Sequence, residues 1–219
     1  MEWHLFIEGE ALCMKWKEKI YDEGACYFTT FNTVDWVDVF IRPVYKQTVV
    51  HTLNYFIETR KITVYSWCLM SNHLHLLASP VQGSMAELEK DFKSFTTKKI
   101  LEAIDTEPEI RKQWIMERFE NFGNILGLNK KYHVWQNCSS PLYIDFKKTD
   151  LLLEHFEFIH GNPVRDKIVD IQAEYIYSSA RDYAGIKGMI NIQKLIHIEK
   201  YLSASESMNG NFFVKYIRN

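Results

Sequence analysis

The sequence predicts an α+β protein in which helices pack on one face of an antiparallel sheet. Short runs rich in β-branched and aromatic residues indicate strands, and longer segments with apolar residues three and four positions apart indicate helices. The two kinds of segment do not alternate regularly, which favours antiparallel over parallel pairing. Of the 219 residues, 47% are hydrophobic and 15% aromatic, which is enough material for a buried core.

The first predicted elements are a strand and an amphipathic helix. Residues 25–33 (ACYFTTFNT) have the β-branched and aromatic composition of a strand. Pro43 suits the first turn of a helix, and helical spacing continues from it to about residue 60. The apolar positions that define this spacing are Val49, Val50, Leu53, Phe56 and Ile57.

Residues 62–79 predict two strands joined as a hairpin at the polar pair Ser71-Asn72. His73 and His75 open the second strand, with one residue between them. Alternate side chains of a strand project from the same face, so both imidazoles are expected to point the same way. Such a pair can hold a divalent metal ion, because neutral imidazole is a common ligand. The alternative is two polar residues on the wet face of a half-buried strand.

Helical spacing returns in three later segments, residues 84–104, 107–122 and 149–160. Ser84 is a suitable N-cap for the first of them, and Glu87 three residues later completes a capping box. We expect the last helix to end at Gly161-Asn162-Pro163. Glycine can adopt a positive φ there, and proline restricts the residue before it.

Composition divides the chain into an N-terminal extension (1–24), one domain (25–188) and a C-terminal appendage (189–219). No apolar run approaches the roughly 20 residues that span a bilayer, and the N-terminus lacks the features of a secretory signal. We therefore expect a cytoplasmic protein with no membrane partner. The four cysteines are scattered and are expected to be free thiols, although a zinc site made by Cys68 with the two histidines is conceivable.

Charge is distributed unevenly along the chain. A net charge of −2 argues against a protein that coats nucleic acid without selectivity, but it leaves a local basic groove open. The segment KDFKSFTTKK, inside the helix predicted over 84–104, carries four lysines against one acid. Its lysines and threonines could meet phosphates. The alternative is an ordinary solvated helix face.

Six motifs occur in order along the chain: YFTTFNT, WCLMSNHLHLL, DFKSFTTKK, VWQN, FIHGNPVR and YSSARDYAG. This set, over about residues 27–185, resembles the REP-associated tyrosine transposases, a branch of the single-tyrosine HUH transposase superfamily of endonucleases. The resemblance implies a ferredoxin-like fold with the H-x-H on a central strand. It also implies a divalent cation, Mg²⁺ or Mn²⁺, and a single-stranded or hairpin DNA substrate. In that chemistry the metal polarises the scissile phosphate and a tyrosine attacks it, leaving a 5′-phosphotyrosine link.

Carried over to this chain, the resemblance makes His73 and His75 the metal ligands. The expected position of the nucleophile, a few residues after the Trp-Gln pair of VWQN, is held by Ser139. Tyr143 is the first tyrosine that follows and is the candidate nucleophile, although Pro141 argues against one uninterrupted helix between the two positions. The alternative is that Tyr143 is an ordinary surface or core tyrosine.

The resemblance also suggests DNA contacts, through phosphates, through stacking or along a hairpin stem. A buried tryptophan is an equal alternative for Trp135, and Arg165 could instead tie a helix end to the sheet. The candidate DNA contacts are Lys93, Thr96, Lys99, Trp135, Gln136, Arg165 and Arg181.

Three functions follow from these observations. The leading one is a transposase-like DNA-binding protein that nicks and joins strands, acting in DNA transposition and recombination. The second is a descendant that binds hairpin DNA without cutting it, because the expected tyrosine is missing. The third is a hydrolase that activates water on a metal held by the two histidines, which requires a third, carboxylate ligand. The sequence leaves the choice between monomer and dimer open.

Overall fold

The computed structural model describes residues 25–125, 131–136, 141–196 and 198. The predicted N-terminal extension, residues 1–24, lies outside the described residues, and the predicted appendage at 189–219 is described only in part. No helix within the described residues is long and apolar enough to cross a membrane.

In the part of the chain that the structure describes, four strands form one sheet in the order β2-β3-β1-β4. The strands are β1 (Cys26–Asn32), β2 (Ile62–Leu69), β3 (His73–Pro80) and β4 (Leu142–Ile144). β3 is central and pairs antiparallel with both β1 and β2. β1 and β2 therefore run parallel to each other, and a helix makes the crossover between them. The antiparallel sheet and the H-x-H on a central strand are as predicted.

Among the described residues, five α-helices accompany the sheet: α1 (Pro43–Glu58), α2 (Met85–Thr106), α3 (Lys112–Ile125), α4 (Thr149–Arg165) and α5 (Ala180–Tyr183). As predicted, α1 and α2 pack together on one face, where Phe92 of α2 lies 5.0 Å from Phe31 of β1 and 6.0 Å from Phe56 of α1 between ring centroids. This strand order with two helices on one face is the ferredoxin-like arrangement. α4 additionally covers part of the other face, because His155 contacts Phe28, which alternates with Phe31 on β1.

The capping box predicted at the start of α2 is present. The Ser84 side chain accepts a hydrogen bond from the Glu87 backbone N–H at 3.2 Å, and the Glu87 carboxylate accepts one from the Ser84 N–H at 2.9 Å. These contacts lower the pKa of the Glu87 carboxyl. The local sequence signal therefore identified this helix start correctly.

The prediction that Gly161-Asn162-Pro163 ends a helix was wrong, because α4 continues through all three residues to Arg165. All three are buried, so packing of this turn outweighs the backbone N–H that proline lacks. A Cβ at Gly161 would lie 2.8 Å from the Arg165 guanidinium, which is the mobile end of a long side chain. The extra turn carries Asn162 and Arg165 to the histidine face of the sheet.

Residues near the C-terminal end of the described chain cover the edge of β2. The Leu69 N–H donates to the Tyr177 carbonyl at 2.9 Å, and the Gln193 N–H donates to the Val64 carbonyl at 2.8 Å. The Met189 carbonyl accepts from the Asn54 side chain of α1 at 2.9 Å. The first residues of the predicted appendage thus pack on the domain and protect an edge strand.

Candidate metal and DNA site

The structure places the two imidazoles of β3 side by side on one face of the sheet. The ring centroids of His73 and His75 lie 4.7 Å apart. Their cross-strand partners on β1 are Asn32 and Thr30, and directly opposed residues share a face. His75 is only 5% exposed, whereas His73 is half-buried. The pair therefore opens to solvent on the His73 side.

Each imidazole is held through its Nδ1 atom. The Thr30 hydroxyl oxygen lies 2.7 Å from His75 Nδ1, and the Asn72 amide oxygen lies 2.7 Å from His73 Nδ1. Both oxygens can accept a hydrogen bond from an Nδ1–H, and in that tautomer the Nε2 lone pairs remain for a cation. The buried amide nitrogen of Asn162 lies 3.5 Å from His73 Nε2, so a cation at that atom would replace this contact.

Burial keeps both histidines neutral. It lowers the pKa of His75 to about 3, and the charges of His73 and Arg165 act in the same direction. Burial also lowers the pKa of His73, which Asp166 partly opposes. Neutral imidazole is the form that binds metal ions, so both side chains are in the ligand form at neutral pH.

Aromatic rings and an arginine enclose the pair. Phe28 stacks on His75 with ring centroids 5.8 Å apart, and Phe158 of α4 meets the same ring edge-on at 5.1 Å. Phe158 is exposed, and the Arg165 guanidinium lies 4.7 Å above its ring. The Arg165 side chain also donates to the Phe158 carbonyl at 2.6 Å. A fixed, exposed cation therefore stands beside the histidines.

Sequence reasoning did not select Phe158 as a site residue, although its spacing from Asn162 and Arg165 contains a signal. Phe158, Asn162 and Arg165 occupy positions i, i+4 and i+7 of α4, which share one face of a helix. Because the sequence-based prediction ended this helix at Gly161-Asn162-Pro163, the three residues did not fall on one predicted helix face. Extending it by one turn is what identifies the three residues as one wall of the site.

Donor chemistry decides which metal the pair could hold. Among the described residues, no three His, Cys, Asp or Glu side chains form a cluster able to bind a metal ion. The zinc site with Cys68 is therefore not formed, and burial raises the pKa of the Cys68 thiol to about 12. Within the same residues the hydrolase hypothesis also lacks its third carboxylate. Two imidazoles fit a cation whose other ligands are water and phosphate oxygens, and they suit Mn²⁺ better than Mg²⁺.

The structure does not bring Tyr143 to the histidines. Tyr143 lies in β4 rather than in a helix, directly opposite Tyr27 of β1, with ring centroids 6.1 Å apart. Tyr27 is three residues from Thr30, the partner of His75, so the two face opposite sides of the sheet. Ser139 lies outside the described residues.

The lysines of α2 also lie across the sheet from the histidines, because α2 packs on the face of Phe31. Lys93 donates to the Gln136 carbonyl at 3.1 Å and lines a cleft of about 510 Å³ between α2 and residues 132–135. Lys99 is exposed and pairs with Glu102 at 2.9 Å. These lysines form a surface separate from the histidine site.

Thr96 and Trp135 belong to the core. Trp135 is 2% exposed, and its indole N–H donates to the buried Thr96 hydroxyl at 2.7 Å. Gln136 is half-buried and donates through its side chain to the Thr33 carbonyl at 3.1 Å. The expectation that Thr96 and Trp135 contact DNA does not fit their burial, since Thr96 is fully buried and Trp135, at the edge of the cleft beside α2, is 2% exposed.

The two arginines among the predicted DNA contacts have different positions. Arg165 stands at the histidine pair, as described above. Arg181 is in α5, half-buried, with its guanidinium donating to the Ala173 carbonyl at 3.4 Å. Arg165 is therefore the predicted DNA contact that the fold brings into the site.

No protein-family model and no curated protein matches this chain. Among solved structures, it resembles that of a REP-associated tyrosine transposase bound to a REP hairpin, at 16% identity and a TM-score of 0.54. That likeness covers 84% of this chain and 96% of the other. A proposed transposase from Deinococcus radiodurans R1 matches at 14% identity and a TM-score of 0.40, over 66% of this chain and 98% of that one. The first of these likenesses shows that the chain shares a fold with a transposase.

Proposed function

We propose that this protein binds single-stranded or hairpin DNA, and that His73 and His75 hold a divalent cation against one backbone phosphate. The observation that carries the proposal is the pair of neutral, hydrogen-bonded imidazoles beside Arg165, on the central strand. Its support from comparison is the fold shared with a transposase whose structure contains a REP hairpin.

Each residue of the site has a definable part in this binding. The two Nε2 atoms face the cation, while Thr30 and Asn72 keep the rings oriented. Arg165 pairs with the phosphate, since a guanidinium suits phosphate oxygens. Phe28 and Phe158 keep water away from His75. When bound, a divalent cation would polarise the phosphate oxygen as a Lewis acid.

Strand nicking and joining through a phosphotyrosine link is a second candidate function, supported by the ordered motifs of the sequence. It needs a tyrosine hydroxyl beside the phosphate. Tyr143 faces the opposite side of the sheet, so the geometry favours DNA binding without cleavage by Tyr143. The two functions differ in whether a covalent DNA adduct forms.

The test measures Mn²⁺ and DNA binding by the full chain. We expect wild-type protein to bind labelled single-stranded or hairpin oligonucleotides several-fold more tightly with Mn²⁺ than with chelator, and His73→Ala to weaken Mn²⁺ binding about 10-fold or more. His51→Ala, at an exposed position of α1, is the matched control and should match wild type. Failure of the wild type to bind either DNA, or to bind Mn²⁺, contradicts the proposal.

Denaturing gels of the same mixtures separate the two candidates. Binding without cleavage leaves no covalent adduct in wild type and unchanged DNA affinity in Tyr143→Phe. An adduct that appears with Mn²⁺ and disappears in Tyr143→Phe establishes the second function instead.

A further inference from the structure

An exposed tryptophan stands in a strained turn next to the histidine hairpin. Trp36 is 57% exposed, and both it and Asp35 have left-handed backbones, with φ of 54° and 48°. Two consecutive non-glycine residues in this region are costly and persist only when surrounding contacts hold them. The contacts that hold this backbone therefore keep Trp36 at an exposed position, and hydrophobic burial does not explain why a tryptophan is there.

Hydrogen bonds hold this turn against the hairpin. The Thr33 hydroxyl donates to the Val37 carbonyl at 2.8 Å, which closes the turn. The Phe40 N–H donates to the Ser71 carbonyl at 2.9 Å. Because Ser71 belongs to the turn that precedes the two histidines, Trp36 is presented from a rigid support.

Asn72 links Trp36 directly to the histidine pair. Its amide nitrogen donates to the Trp36 carbonyl at 3.4 Å, and its amide oxygen lies 2.7 Å from His73 Nδ1. One side chain therefore spans the tryptophan turn and a proposed metal ligand. The backbone of Trp36 is therefore one side chain away from His73.

A second exposed tryptophan and an arginine continue this surface. α3 packs on the turn, and its Arg118 guanidinium lies 3.6 Å from the Asp35 carboxylate. The same guanidinium lies 5.8 Å from the ring of Trp114, which is 42% exposed. Asp35, the neighbour of Trp36 in the chain, thus joins the turn to Arg118 and Trp114. We call Trp36, Arg118 and Trp114 the tryptophan track.

This chemistry suits unpaired nucleotides. Bases without a partner stack on aromatic rings in a sequence-tolerant way, and an arginine between two such rings can meet the connecting phosphate. Bases inside a duplex hide their faces against their neighbours and cannot use such rings. The net charge of −2 also favours recognition by stacking over a purely electrostatic contact.

We propose that unpaired nucleotides adjoining the phosphate at His73 and His75 stack on Trp36 and Trp114, with Arg118 between them. The inference rests on the proposed function and adds that the DNA on this side of the site is single-stranded. It assigns the recognition of that strand to the tryptophan track rather than to the lysines of α2.

Fluorescence anisotropy with a labelled single-stranded oligonucleotide and a fully paired duplex tests the inference. Trp36→Ala should weaken binding of the single strand roughly 5- to 150-fold, as expected for loss of a stacked base, and leave the duplex unchanged. Trp36→Phe keeps an aromatic face and should restore most of the affinity. Tyr55→Ala, which removes a 47% exposed ring from α1, is the control and should bind like wild type.

A scan of abasic positions along the oligonucleotide is made first with the wild-type protein, and this part does not depend on how a variant folds. With wild-type protein, removal of the base at one or two positions should weaken binding. Trp36→Phe should reduce this sensitivity, and Trp36→Ala should abolish it. If no abasic position weakens binding, the inference is wrong. It is also wrong if the sensitive positions are confined to a blunt hairpin end. If wild type binds DNA and Trp36→Ala binds it equally well, only this inference is wrong. If wild type does not bind DNA, the proposed function is wrong as well.

Discussion

His160 is a fully buried imidazole separate from His73 and His75, and its burial predicts how acid affects the stability of the fold. Its Nε2 atom lies 2.7 Å from the Ser179 hydroxyl and 3.0 Å from the Ser66 hydroxyl, which joins α4 to β2 and to the start of α5. Burial lowers the pKa of His160 to about 3. In the unfolded chain His160 is protonated below about pH 6.5, whereas in the folded chain it stays neutral. The free energy of unfolding therefore falls as the pH drops from about 6.5 towards 3.

Between pH 7 and pH 5, His160 should account for a loss of about 2 kcal/mol in the free energy of unfolding. Urea denaturation in chelator at the two pH values measures this loss. His160→Gln should show a smaller difference between the two pH values, whatever its stability at pH 7, because glutamine does not titrate. His51→Gln, at an exposed position, should keep the wild-type difference. Equal pH differences in wild type and His160→Gln would contradict the assignment.

Residue-level inference from sequence succeeded where one element carried the information. The H-x-H spacing was enough to place His73 and His75 on one face, because alternation is a property of the strand itself. Thr30, which holds His75, comes from a different strand, and its motif YFTTFNT does not show which residue it would contact. The partners of a site residue depend on strand register, which a single sequence does not reveal.

At the scale of elements, Thr96 and Trp135 join α2 to the segment over residues 131–136. The Trp135 indole N–H has the Thr96 hydroxyl as its acceptor, inside a cluster with Phe31 and Phe92. Thr96→Val keeps the shape of the side chain but removes that acceptor, and leaving a buried donor unsatisfied costs about 1–3 kcal/mol. We expect a loss of that size in urea denaturation, with unchanged DNA affinity.

Thr97→Val is the matched control for this substitution. Thr97 is half-buried at the adjacent position of α2 and lines the cleft there, so the same chemical change should alter stability by less than about 0.5 kcal/mol. Reduced DNA affinity in a stable Thr96→Val protein would instead restore Thr96 as a DNA contact.

The elements that the sequence predicted well are those with local signals. The capping box of α2 and the hairpin turn at Ser71-Asn72 depend on residues a few positions apart. β4 was missed because its three residues owe their conformation to pairing with β1 rather than to a pattern of their own. The end of α4 was misplaced because burial of Gly161-Asn162-Pro163 is decided by tertiary packing.

At the scale of the whole molecule, the sheet divides the predicted DNA site into two surfaces. The histidines, Asn162 and Arg165 lie on one side, and α2 with Lys93 and Lys99 lies on the other. The motifs that suggested a single site are ordered along the chain, but their order does not state which face of the sheet each one reaches. In the same way, the order of the motifs did not show that Tyr143 faces the side of the sheet opposite the histidines.

Because the two surfaces are separate, substitutions of Arg165 and Lys99 should affect DNA binding differently. Arg165→Gln should weaken single-stranded DNA binding several-fold and lower the slope of log affinity against log salt by about 0.7, because one phosphate contact is lost. Lys99→Gln removes an exposed cation that pairs with Glu102 across the sheet from the histidines, and it should change neither quantity. Salt titrations of binding with the two variants and wild type, each checked by circular dichroism, measure both effects. If Lys99→Gln lowers the slope as much as Arg165→Gln does, the strand passes from the histidine face to α2, and the separation of the two surfaces does not limit where DNA binds.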